Sequence, residues 1–236
     1  DIDHEKWEST DQETRDAIIH GIKSGDIWLN KIKHDNDGNR IFGNVCLEVY
    51  LPSRGTCLLQ HINLGACAIG QIQETIFTGM SELCNLHGRT GVGESGEYLS
   101  PETDKQVGLG FLGLANLLKR YRVKYSEFGD ALDHFNSGLA PAGTAGHIIA
   151  ELHKGIELAA QVARANKMER AFAIAPTASC SYRSKDLDGF TACPEIAPPI
   201  ARTVDRDSGT FGVESFEYGN VEIASEVGWD AYKKVA

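Results

Sequence analysis

Apolar side chains recur with helical spacing in three segments of the chain. Thr10 and Glu13 have the spacing of a capping box, apolar residues with a helical period follow them, and Gly25 is typical of a helix end. The same period covers residues 73–83 and residues 147–165. We therefore predict an α-helix in each segment.

Further segments are also predicted to be helical. Residues 107–118 form an apolar run that we interpret as one helix, and another helix is expected to begin near Asn220. Residues 100–102 read Ser-Pro-Glu, which is typical of a helix start with serine as the N-cap and proline at the first helical position.

Shorter apolar stretches predict strands. Residues 26–33 have the pattern of a strand, and residues 35–39, which are rich in Asp, Asn and Gly, are typical of a turn. Residues 171–175 are a short apolar run suited to a buried strand, which Pro176 ends. Both helices and strands are therefore expected along the chain.

One stretch concentrates polar side chains that can do chemistry. If residues 41–51 are extended, side chains alternate between faces, so Asn44, Cys46 and Glu48 point to one side at intervals of about 6.6–6.8 Å. One small substrate could then touch an amide, a thiol and a carboxylate together. A lone cysteine is usually a small buried hydrophobe, but Cys57 follows eleven positions later across a turn-like segment. We therefore weigh a redox or radical reaction as a hypothesis.

A second candidate segment follows the strand predicted over residues 171–175. Residues 176–181 contain small side chains and hydroxyls, which leave backbone N–H groups accessible, and a helix N-terminus adds partial positive charge. An anion could bind there without a lysine. The alternative is an ordinary strand-to-helix turn capped by Thr177 or Ser179. The residues alone leave both interpretations open.

Composition restricts the partners and the compartment. The 236 residues carry 23 Lys and Arg against 33 Asp and Glu, a formal net charge of −10, which argues against a nucleic-acid polymer or an anionic membrane as partner. No stretch approaches the roughly eighteen apolar residues of a membrane span. The six cysteines form no Cys-x-x-Cys pair and no signal peptide is visible, so we expect a reduced, cytoplasmic protein. Because the chain begins at Asp1 without methionine and ends at Ala236 inside a helical pattern, we expect an internal piece of a longer protein.

The pattern G-x-G-x-x-G occurs twice, over residues 91–96 and over residues 108–113. A dinucleotide-binding fold needs such a motif to follow a strand, open a helix and precede an acid by about 20 residues. The first motif leads into the helix start predicted at residues 100–102, and the second lies within the helix predicted over residues 107–118. We interpret the glycines of the second motif as positions of close helix packing.

Two of these segments resemble a known family. The pattern Asn-x-Cys-x-Glu at residues 44–48, Cys57 in Cys-x-Leu, and Ile-Asn-Leu-Gly at residues 62–65 resemble the catalytic finger loop of the ribonucleotide reductase large subunit. Residues 175–181 are similar to that family's loop for the substrate phosphates, and they follow in the expected order. By this resemblance the chain is identified as an internal fragment of such a catalytic subunit, in a compact form like those of phages and bacteria.

The resemblance implies a fold and an activity. The fold class would be α/β, with the chain forming part of a ten-stranded α/β barrel that has a central catalytic finger loop. Residues 1–236 would be a single catalytic-barrel fragment of a longer chain. The activity would be the radical-based reduction of ribonucleoside di- or triphosphates to deoxyribonucleotides for DNA synthesis.

The resemblance also implies roles for individual residues. Cys46 would hold the transient thiyl radical that abstracts the 3′-hydrogen of the ribonucleotide, Glu48 would take the 3′-hydroxyl proton, and Asn44 would orient the ribose hydroxyls. Cys57 would be one thiol of the reducing pair, whose other member lies in the family well before Asp1. No metal ligand is implied. The substrate phosphates would be held by backbone N–H and hydroxyl groups of Pro176, Thr177, Ala178, Ser179, Cys180 and Ser181.

The radical initiator would lie outside this chain. The short gap from Cys46 to Cys57 resembles the adenosylcobalamin-dependent class II reductases. In contrast, Asn-Val-Cys-Leu-Glu and Pro-Thr-Ala-Ser-x-Ser look more like class I enzymes with a separate dimetal radical-generating subunit, and these residues favour the separate subunit. A reductant of the thioredoxin or glutaredoxin type would be a further partner. We expect the isolated fragment to have no turnover.

Two other classes of function stay open. One is another thiyl-radical barrel enzyme of the glycyl-radical type, which is disfavoured because Glu48 and Cys57 fit the aerobic reductase pattern. The other is a non-catalytic structural or binding fragment in which Cys46 and Cys57 are buried packing residues. Residues 194–199 resemble a proline-rich family segment, but alanine stands where the family has its acid, so Glu195 is assigned no role.

Overall fold

The computed structural model describes residues 4–89 and 96–236, which form a mixed α/β fold. Within these ranges no helix is both long enough and apolar enough to cross a membrane. The helices are α1 (His4–Trp7), α2 (Gln12–Ser24), α3 (Ile72–His87), α4 (Leu114–Arg120), α5 (Tyr125–Asn136), α6 (Gly143–Ala165), α7 (Ala178–Tyr182), α8 (Ala224–Val227) and α9 (Trp229–Val235). The strands are β1 (Lys33–His34), β2 (Arg40–Gly43), β3 (Tyr50–Leu51), β4 (Leu59–Asn63), β5 (Gln106–Leu112), β6 (Arg170–Phe172), β7 (Thr203–Asp207) and β8 (Val213–Glu217).

The central sheet consists of β4, β5 and β6, which run parallel with β5 in the middle. Each crossover contains helices: α3 connects β4 to β5, and α4, α5 and α6 lie between β5 and β6. All residues of β5 except Phe111 are buried, as expected for the central strand of a parallel sheet. The helices α3 and α6 pack against each other, and their fully buried side chains, such as Ile76 and Ile148, belong to the main core.

The remaining strands form two smaller antiparallel sheets. One has the order β1-β2-β3 and carries the stretch of polar residues at 44–48, and the other is the exposed hairpin β7-β8. In the described part of the chain, none of the three sheets closes into a barrel. The α/β class expected from the sequence is therefore confirmed at the level of a mixed α/β fold.

The helix predictions that rest on caps and period are confirmed. The helix α2 begins after Asp11, whose carboxylate accepts the N–H of Thr14 at 2.8 Å, one residue later than the capping-box spacing indicates. It ends at Gly25, which adopts the left-handed conformation with φ of 85°. The helices α3 and α6 cover the segments predicted at residues 73–83 and 147–165 and extend beyond them.

Two shorter predictions are confirmed in full or in part. The turn over residues 35–39 connects β1 to β2. The strand predicted over residues 171–175 is present as β6 but covers only residues 171 and 172 of that run, and it is not buried as predicted, because Phe172 is exposed. The helix expected from about Asn220 is present as two short helices, α8 and α9, which Gly228 separates.

The apolar run over residues 107–118 is not one helix. Its first part belongs to β5 and its second part to α4, with Gly113 in the left-handed region between them at φ of 74°. The prediction is wrong because an apolar run of this length suits a buried strand as well as a helix, and pairing with strands on both sides decides between them. Gly108 does lie at a site of close packing, but between strands, where the side chain of Leu59 approaches it. The first two glycines of its motif lie inside β5 and only Gly113 stands at the turn into α4, so the motif does not form the glycine-rich strand-to-helix turn of a dinucleotide site.

The strand predicted over residues 26–33 is also wrong, since only its last residue belongs to β1. The N–H groups of Asp26 and Ile27 both donate to the carbonyl of Gly21 near the end of α2, at 2.9 and 3.0 Å. These bonds turn the chain sharply after the helix. The following residues therefore lack a neighbouring strand in the described structure.

The helix start predicted at residues 100–102 is instead a turn. The N–H groups of Thr103 and Asp104 both donate to the carbonyl of Ser100 at 2.9 Å, and the chain then enters β5. The side chain of Asp104 is bound to a distant part of the chain, which competes with helix formation. The glycine motif at residues 91–96, apart from Gly96, lies outside the described residues.

Candidate active site

The stretch from residue 41 to residue 51 forms a β-hairpin, not one extended strand. The strands β2 and β3 pair antiparallel, and residues 44–49 form the loop between them. Leu47 adopts a left-handed conformation with φ of 65°, which breaks the alternation of side chains. The prediction that Asn44, Cys46 and Glu48 share one face of a strand is therefore wrong, because they lie in a loop.

Asn44 organises this loop. Its backbone N–H donates to the carbonyl of Val49 at 3.0 Å, and its backbone carbonyl accepts the N–H of Leu47 at 3.1 Å. Its side-chain Oδ1 accepts the N–H of Val49 at 3.1 Å, a local bond of the kind that makes asparagine common in turns. The amide oxygen thus stabilises the loop, and the Nδ2 group stays available for a hydrogen bond to another residue.

The Nδ2 group of Asn44 reaches Cys57. It lies 3.5 Å from the Sγ atom of Cys57 and donates a hydrogen bond to it. The pKa of Cys57 is raised, first by burial around the sulfur and then by the carboxylate of Glu48 and the thiol of Cys46, while the bond from Asn44 lowers it. The four residues predicted to be catalytic are therefore neighbours, brought together by the loop and by the turn before Cys57.

The carboxylate of Glu48 has a free acceptor. Its Oε2 atom is buried and has no hydrogen-bond partner among the described residues. A carboxylate in this position is suited to accept a proton from a bound hydroxyl group. The same negative charge favours the protonated form of Cys57, so that thiol keeps its hydrogen at neutral pH.

The cysteines divide into two groups by exposure. Three are exposed, Cys46, Cys57 and Cys180, and three are buried, Cys67, Cys84 and Cys193. Cys57 is exposed as a residue, although its sulfur is partly shielded by its neighbours. The expectation that Cys46 and Cys57 would be buried in a non-catalytic fragment is therefore wrong as regards their burial.

His61 connects the two predicted segments, and sequence reasoning missed it. It lies on β4, and its Nε2 accepts the N–H of Ala175, just before residues 176–181, at 3.0 Å. The ring can reach across β5 because Gly110, its partner in the strand register, has no side chain. Burial lowers the pKa of His61, and the nearby Glu48 carboxylate opposes this shift. The even spacing from Cys57 to His61 is the signal that could have identified it.

The segment 176–181 has the predicted order of turn and helix. Thr177 is the residue before α7 and adopts a left-handed conformation with φ of 51°. Its hydroxyl accepts the N–H of Glu195 at 2.9 Å and does not cap the helix. Because no side chain caps α7, the capping predicted for Thr177 or Ser179 is wrong, whereas the strand-to-helix turn of that alternative is present.

The other members of this segment differ in exposure. Ser181 is fully buried, and its hydroxyl donates to the carbonyl of Ala178 at 2.8 Å, so this hydroxyl is engaged within the helix. The exposed members are Pro176, Ser179 and Cys180. The groups open to a ligand are therefore the Ser179 hydroxyl and the first N–H groups of the helix, which are not bonded within it.

Glu195, which was assigned no role, lies beside this segment. Its N–H binds the hydroxyl of Thr177, and it adopts a left-handed conformation with φ of 55°. Burial raises the pKa of its carboxyl group. The proline-rich segment thus supports the turn at Thr177 through the backbone N–H of residue 195 and not through the side chain of Glu195.

One cleft borders the loop, and a second lies beside the central sheet. One, of about 700 Å³, lies beside the hairpin and is lined by Asn44 but not by Cys46, Glu48 or Cys57. The other, of about 540 Å³, lies between β4 and α3 and includes His61. Within residues 4–89 and 96–236, no group of three or more His, Cys, Asp or Glu side chains is arranged to hold a metal ion.

Comparison with known proteins adds no family assignment. No protein-family model matches the chain, and no curated protein matches it. The residues and their geometry are therefore the basis for a functional proposal.

Proposed function

We propose that this chain is the catalytic-barrel part of a ribonucleotide reductase large subunit, which reduces ribonucleoside di- or triphosphates to deoxyribonucleotides. The contact between Asn44 and Cys57, with the unpartnered Glu48 carboxylate beside it, is the observation that supports this function most. Together with the thiol of Cys46, these groups offer a hydrogen-bond donor, hydrogen sources and a base within reach of one small substrate.

The proposed fold is a ten-stranded α/β barrel to which residues 1–236 contribute as a single unit. The parallel sheet β4-β5-β6 with its helical crossovers supports this proposal, because α/β barrels are built from such units. The hairpin of β2 and β3 would be the finger loop at the barrel centre. A sulfur radical needs a site closed to water, and barrel strands outside these residues would enclose the exposed Cys46.

The first half of the proposed reaction uses the hairpin loop. An external radical initiator, either a separate dimetal radical subunit or adenosylcobalamin, supplies the chemistry that removes the hydrogen atom from the Cys46 thiol. The Cys46 sulfur then takes the 3′-hydrogen atom of the ribose. Glu48 accepts the 3′-hydroxyl proton through its free oxygen, and Asn44 orients the ribose hydroxyls.

The second half reduces the sugar. Cys57 and a second thiol outside residues 1–236 are oxidised to a disulfide and deliver two electrons and two protons. The 2′-hydroxyl leaves as water, Glu48 gives back the 3′-hydroxyl proton, and the Cys46 thiol returns its hydrogen atom to C3′, which regenerates the thiyl radical. One ribonucleotide and one dithiol thus give one deoxyribonucleotide, one disulfide and one water. The raised pKa of Cys57 suits a thiol that must keep its hydrogen until this step. A reductant of the thioredoxin or glutaredoxin type would restore the dithiol.

The substrate phosphates would bind at residues 176–181. The absence of a side-chain cap on α7 in the described structure leaves the first helix N–H groups for an anion, and the Ser179 hydroxyl adds a donor. The link from His61 to Ala175 supports a common site, because it joins this segment to the strand that follows Cys57. A nucleotide is the proposed substrate, and neither a nucleic-acid polymer nor a membrane is a proposed partner.

The test is deoxycytidine nucleotide formation by the full-length protein that carries this chain. The first assay contains a dithiol reductant and adenosylcobalamin without a second protein, and the second replaces cobalamin by a radical-generating subunit. Product in the second assay alone would support the separate subunit, and product in the first would support the cobalamin form. Absence of product in both would contradict the proposed function.

The matched variants are Cys46→Ser and Cys84→Ser. The first should abolish product formation and leave the thermal midpoint nearly unchanged, because the Cys46 side chain is exposed. The second alters a buried thiol on α3, away from the loop, and should keep activity. Activity retained by Cys46→Ser would refute the role of this thiol. The isolated chain 1–236 is expected to form no product.

A further inference from the structure

A buried polar network lies beneath the segment that carries Cys57. The carboxylate of Asp104 is 1 % exposed and accepts the N–H of Thr56 through Oδ2 at 2.8 Å. The side chain of Gln106 is fully buried, and its Nε2 donates to the carbonyl of Thr56 at 3.2 Å and to Oδ1 of Asp104. Both backbone polar groups of Thr56, the residue before Cys57, are therefore bound by buried side chains.

The same network extends to the hairpin. The Nε group of Arg170 on β6 donates to the carbonyl of Tyr50 at 2.9 Å, and its Nη2 group donates to Oε1 of Gln106 at 3.4 Å. Tyr50 lies on β3, two residues after Glu48. Arg170 and Gln106 thus connect the strand that leaves the hairpin loop to the segment that leads into Cys57.

The turn between Tyr50 and Thr56 leaves space for the carboxylate of Asp104. A Cβ atom at Gly55 would lie 3.0 Å from Oδ1 of Asp104 and 3.0 Å from the carbonyl of Pro52. These distances are shorter than ordinary carbon–oxygen contacts, so glycine allows Asp104 to approach the backbone closely. A buried carboxylate is costly unless its hydrogen bonds are made, which makes this arrangement strongly preferred over looser ones.

We propose that Asp104, Gln106 and Arg170 are positioning residues that hold the Cys57 segment in register with the hairpin loop. They touch neither thiol, and they act through the backbone of Thr56 and Tyr50. The contact between Asn44 and Cys57 depends on this register, because the two residues are thirteen positions apart. The catalytic meaning of this inference rests on the proposed function, whereas the placement of Cys57 does not.

The experiment measures the reactivity of Cys57 in the full-length protein. Alkylation by iodoacetamide is followed by mass spectrometry as a function of pH, and the exposed Cys180 serves as the internal reference. In the parent, burial, Glu48 and Cys46 raise the Cys57 pKa, and the bond from Asn44 lowers it by a smaller amount than burial raises it. Release of the segment should therefore lower this pKa toward its ordinary value.

The first variant is Asp104→Asn, with Asp186→Asn as the matched control. Asp186 is also a buried carboxylate that accepts two backbone N–H groups, from Asp188 and Phe190 at 2.9 Å, but it belongs to another loop. At pH 8 we expect Cys57 to react at least about threefold faster in Asp104→Asn, with Cys180 unchanged. In Asp186→Asn, the Cys57 profile should match the parent even if the thermal midpoint falls.

A second pair of variants tests the inference in case Asp104→Asn does not fold. Arg170 is partly exposed, so Arg170→Gln removes its two links with less disturbance to the interior. The Cys57 profile should shift in the same direction, and Arg170→Lys, which keeps one donor, should restore it in part. A Cys57 profile that stays unchanged in Arg170→Gln, or shifts equally in Asp186→Asn, would overturn the inference.

The two proposals fail in different ways. If the profile shifts as expected but the parent forms no deoxynucleotide, the positioning network stands and the proposed function falls. If the parent is active and the profile does not respond to either network variant, the function stands and the network has only a structural role. If the parent protein is active, Asp104→Asn and Arg170→Gln should lower kcat more than they change KM, since the segment that they release holds the reacting thiol of Cys57.

Discussion

At the scale of single residues, the thiol of Cys57 lies between groups that act on it in opposite directions. Burial and the carboxylate of Glu48 raise its pKa, whereas the hydrogen bond from Asn44 favours the thiolate and lowers it. Glu48 also raises the pKa of His61 against the effect of burial. One carboxylate therefore acts on a thiol and on an imidazole, and its removal should affect both in a known direction.

The substitution Glu48→Gln should lower the pKa of both groups. Cys57 loses a neighbouring negative charge, and His61 loses the charge that favours its protonated form. Alkylation of Cys57 at pH 8 should become about twofold to tenfold faster. The measurement is the pH profile of alkylation, with His61 followed by an NMR titration.

The control is Glu214→Gln, which changes an exposed carboxylate on β8, remote in the fold from the hairpin loop. It should alter neither the alkylation profile of Cys57 nor the titration of His61. A Cys57 pKa that rises or stays the same in Glu48→Gln would contradict the placement of this carboxylate beside the thiol.

At the scale of secondary-structure elements, a glycine in the central strand β5 leaves room for a side chain of the neighbouring strand to cross it. Gly110 on β5 pairs with His61 on β4, and the imidazole crosses it to reach Ala175 after β6. A Cβ atom at Gly110 would overlap both the His61 ring and the carbonyl oxygen of Ala173. Because the second group is backbone, a change of rotamer cannot relieve the overlap.

The substitution Gly110→Ala should therefore lower the free energy of unfolding by about 2 kcal/mol or more, as overpacking of a rigid core does. Urea unfolding measures this loss. Gly70→Ala is the matched control, since no atom lies within 4 Å of a Cβ atom built there. Equal stability of the two variants would show that the strands can move apart at Gly110.

At the scale of the whole molecule, the fold sorts its six cysteines into two classes. Three thiols are buried in the interior, where burial raises their pKa, and three are exposed. A buried thiol is shielded from reagents and resists ionisation, so its reaction requires opening of the structure. Thiol chemistry of the native protein is therefore confined to the exposed class.

Titration of the native chain with a thiol reagent should consequently give three rapidly reacting thiols and three that react only after unfolding. The rapid class should consist of Cys46, Cys57 and Cys180, with Cys57 slowed by its raised pKa. Peptide mapping by mass spectrometry assigns each modification. Early reaction of Cys193, which is fully buried, would contradict the packing of the interior.

The stability of the whole chain should also depend on His61. Its pKa is lowered in the folded state, so the unfolded chain binds a proton more readily once the pH falls below the ordinary value of 6.5. The free energy of unfolding should therefore decrease as the pH falls through this range. In His61→Gln this contribution disappears, and the fall in thermal midpoint between about pH 7 and pH 5 should be smaller.

The exposed His20 supplies the control for that measurement. The variant His20→Gln should show the same acid dependence of the thermal midpoint as the parent. If His61→Gln also keeps the full dependence, another group is responsible for the acid sensitivity of the fold.

Local signals were enough to predict α2, α3 and α6 and to find the candidate residues, but not the conformation of those residues. The start and end of α2 follow from Asp11 and Gly25, which act on groups within a few positions of themselves. The motif at residues 44–48 identified three neighbours of Cys57 by residue type. Their arrangement was predicted as a strand face, whereas the hydrogen bonds of Asn44 place them in a loop.

The sequence by itself determined the helices α2, α3 and α6, the turn after β6 and the proximity of Asn44, Cys46 and Glu48 along the chain. Caps, periodicity and short motifs suffice for these features because they act over a few residues. Only the tertiary structure decided that residues 106–112 are a strand, that His61 meets Ala175 114 positions away, and that Asp104 binds Thr56 48 positions away. Such contacts depend on which strands pair and which polar groups are buried together, and no local pattern specifies that.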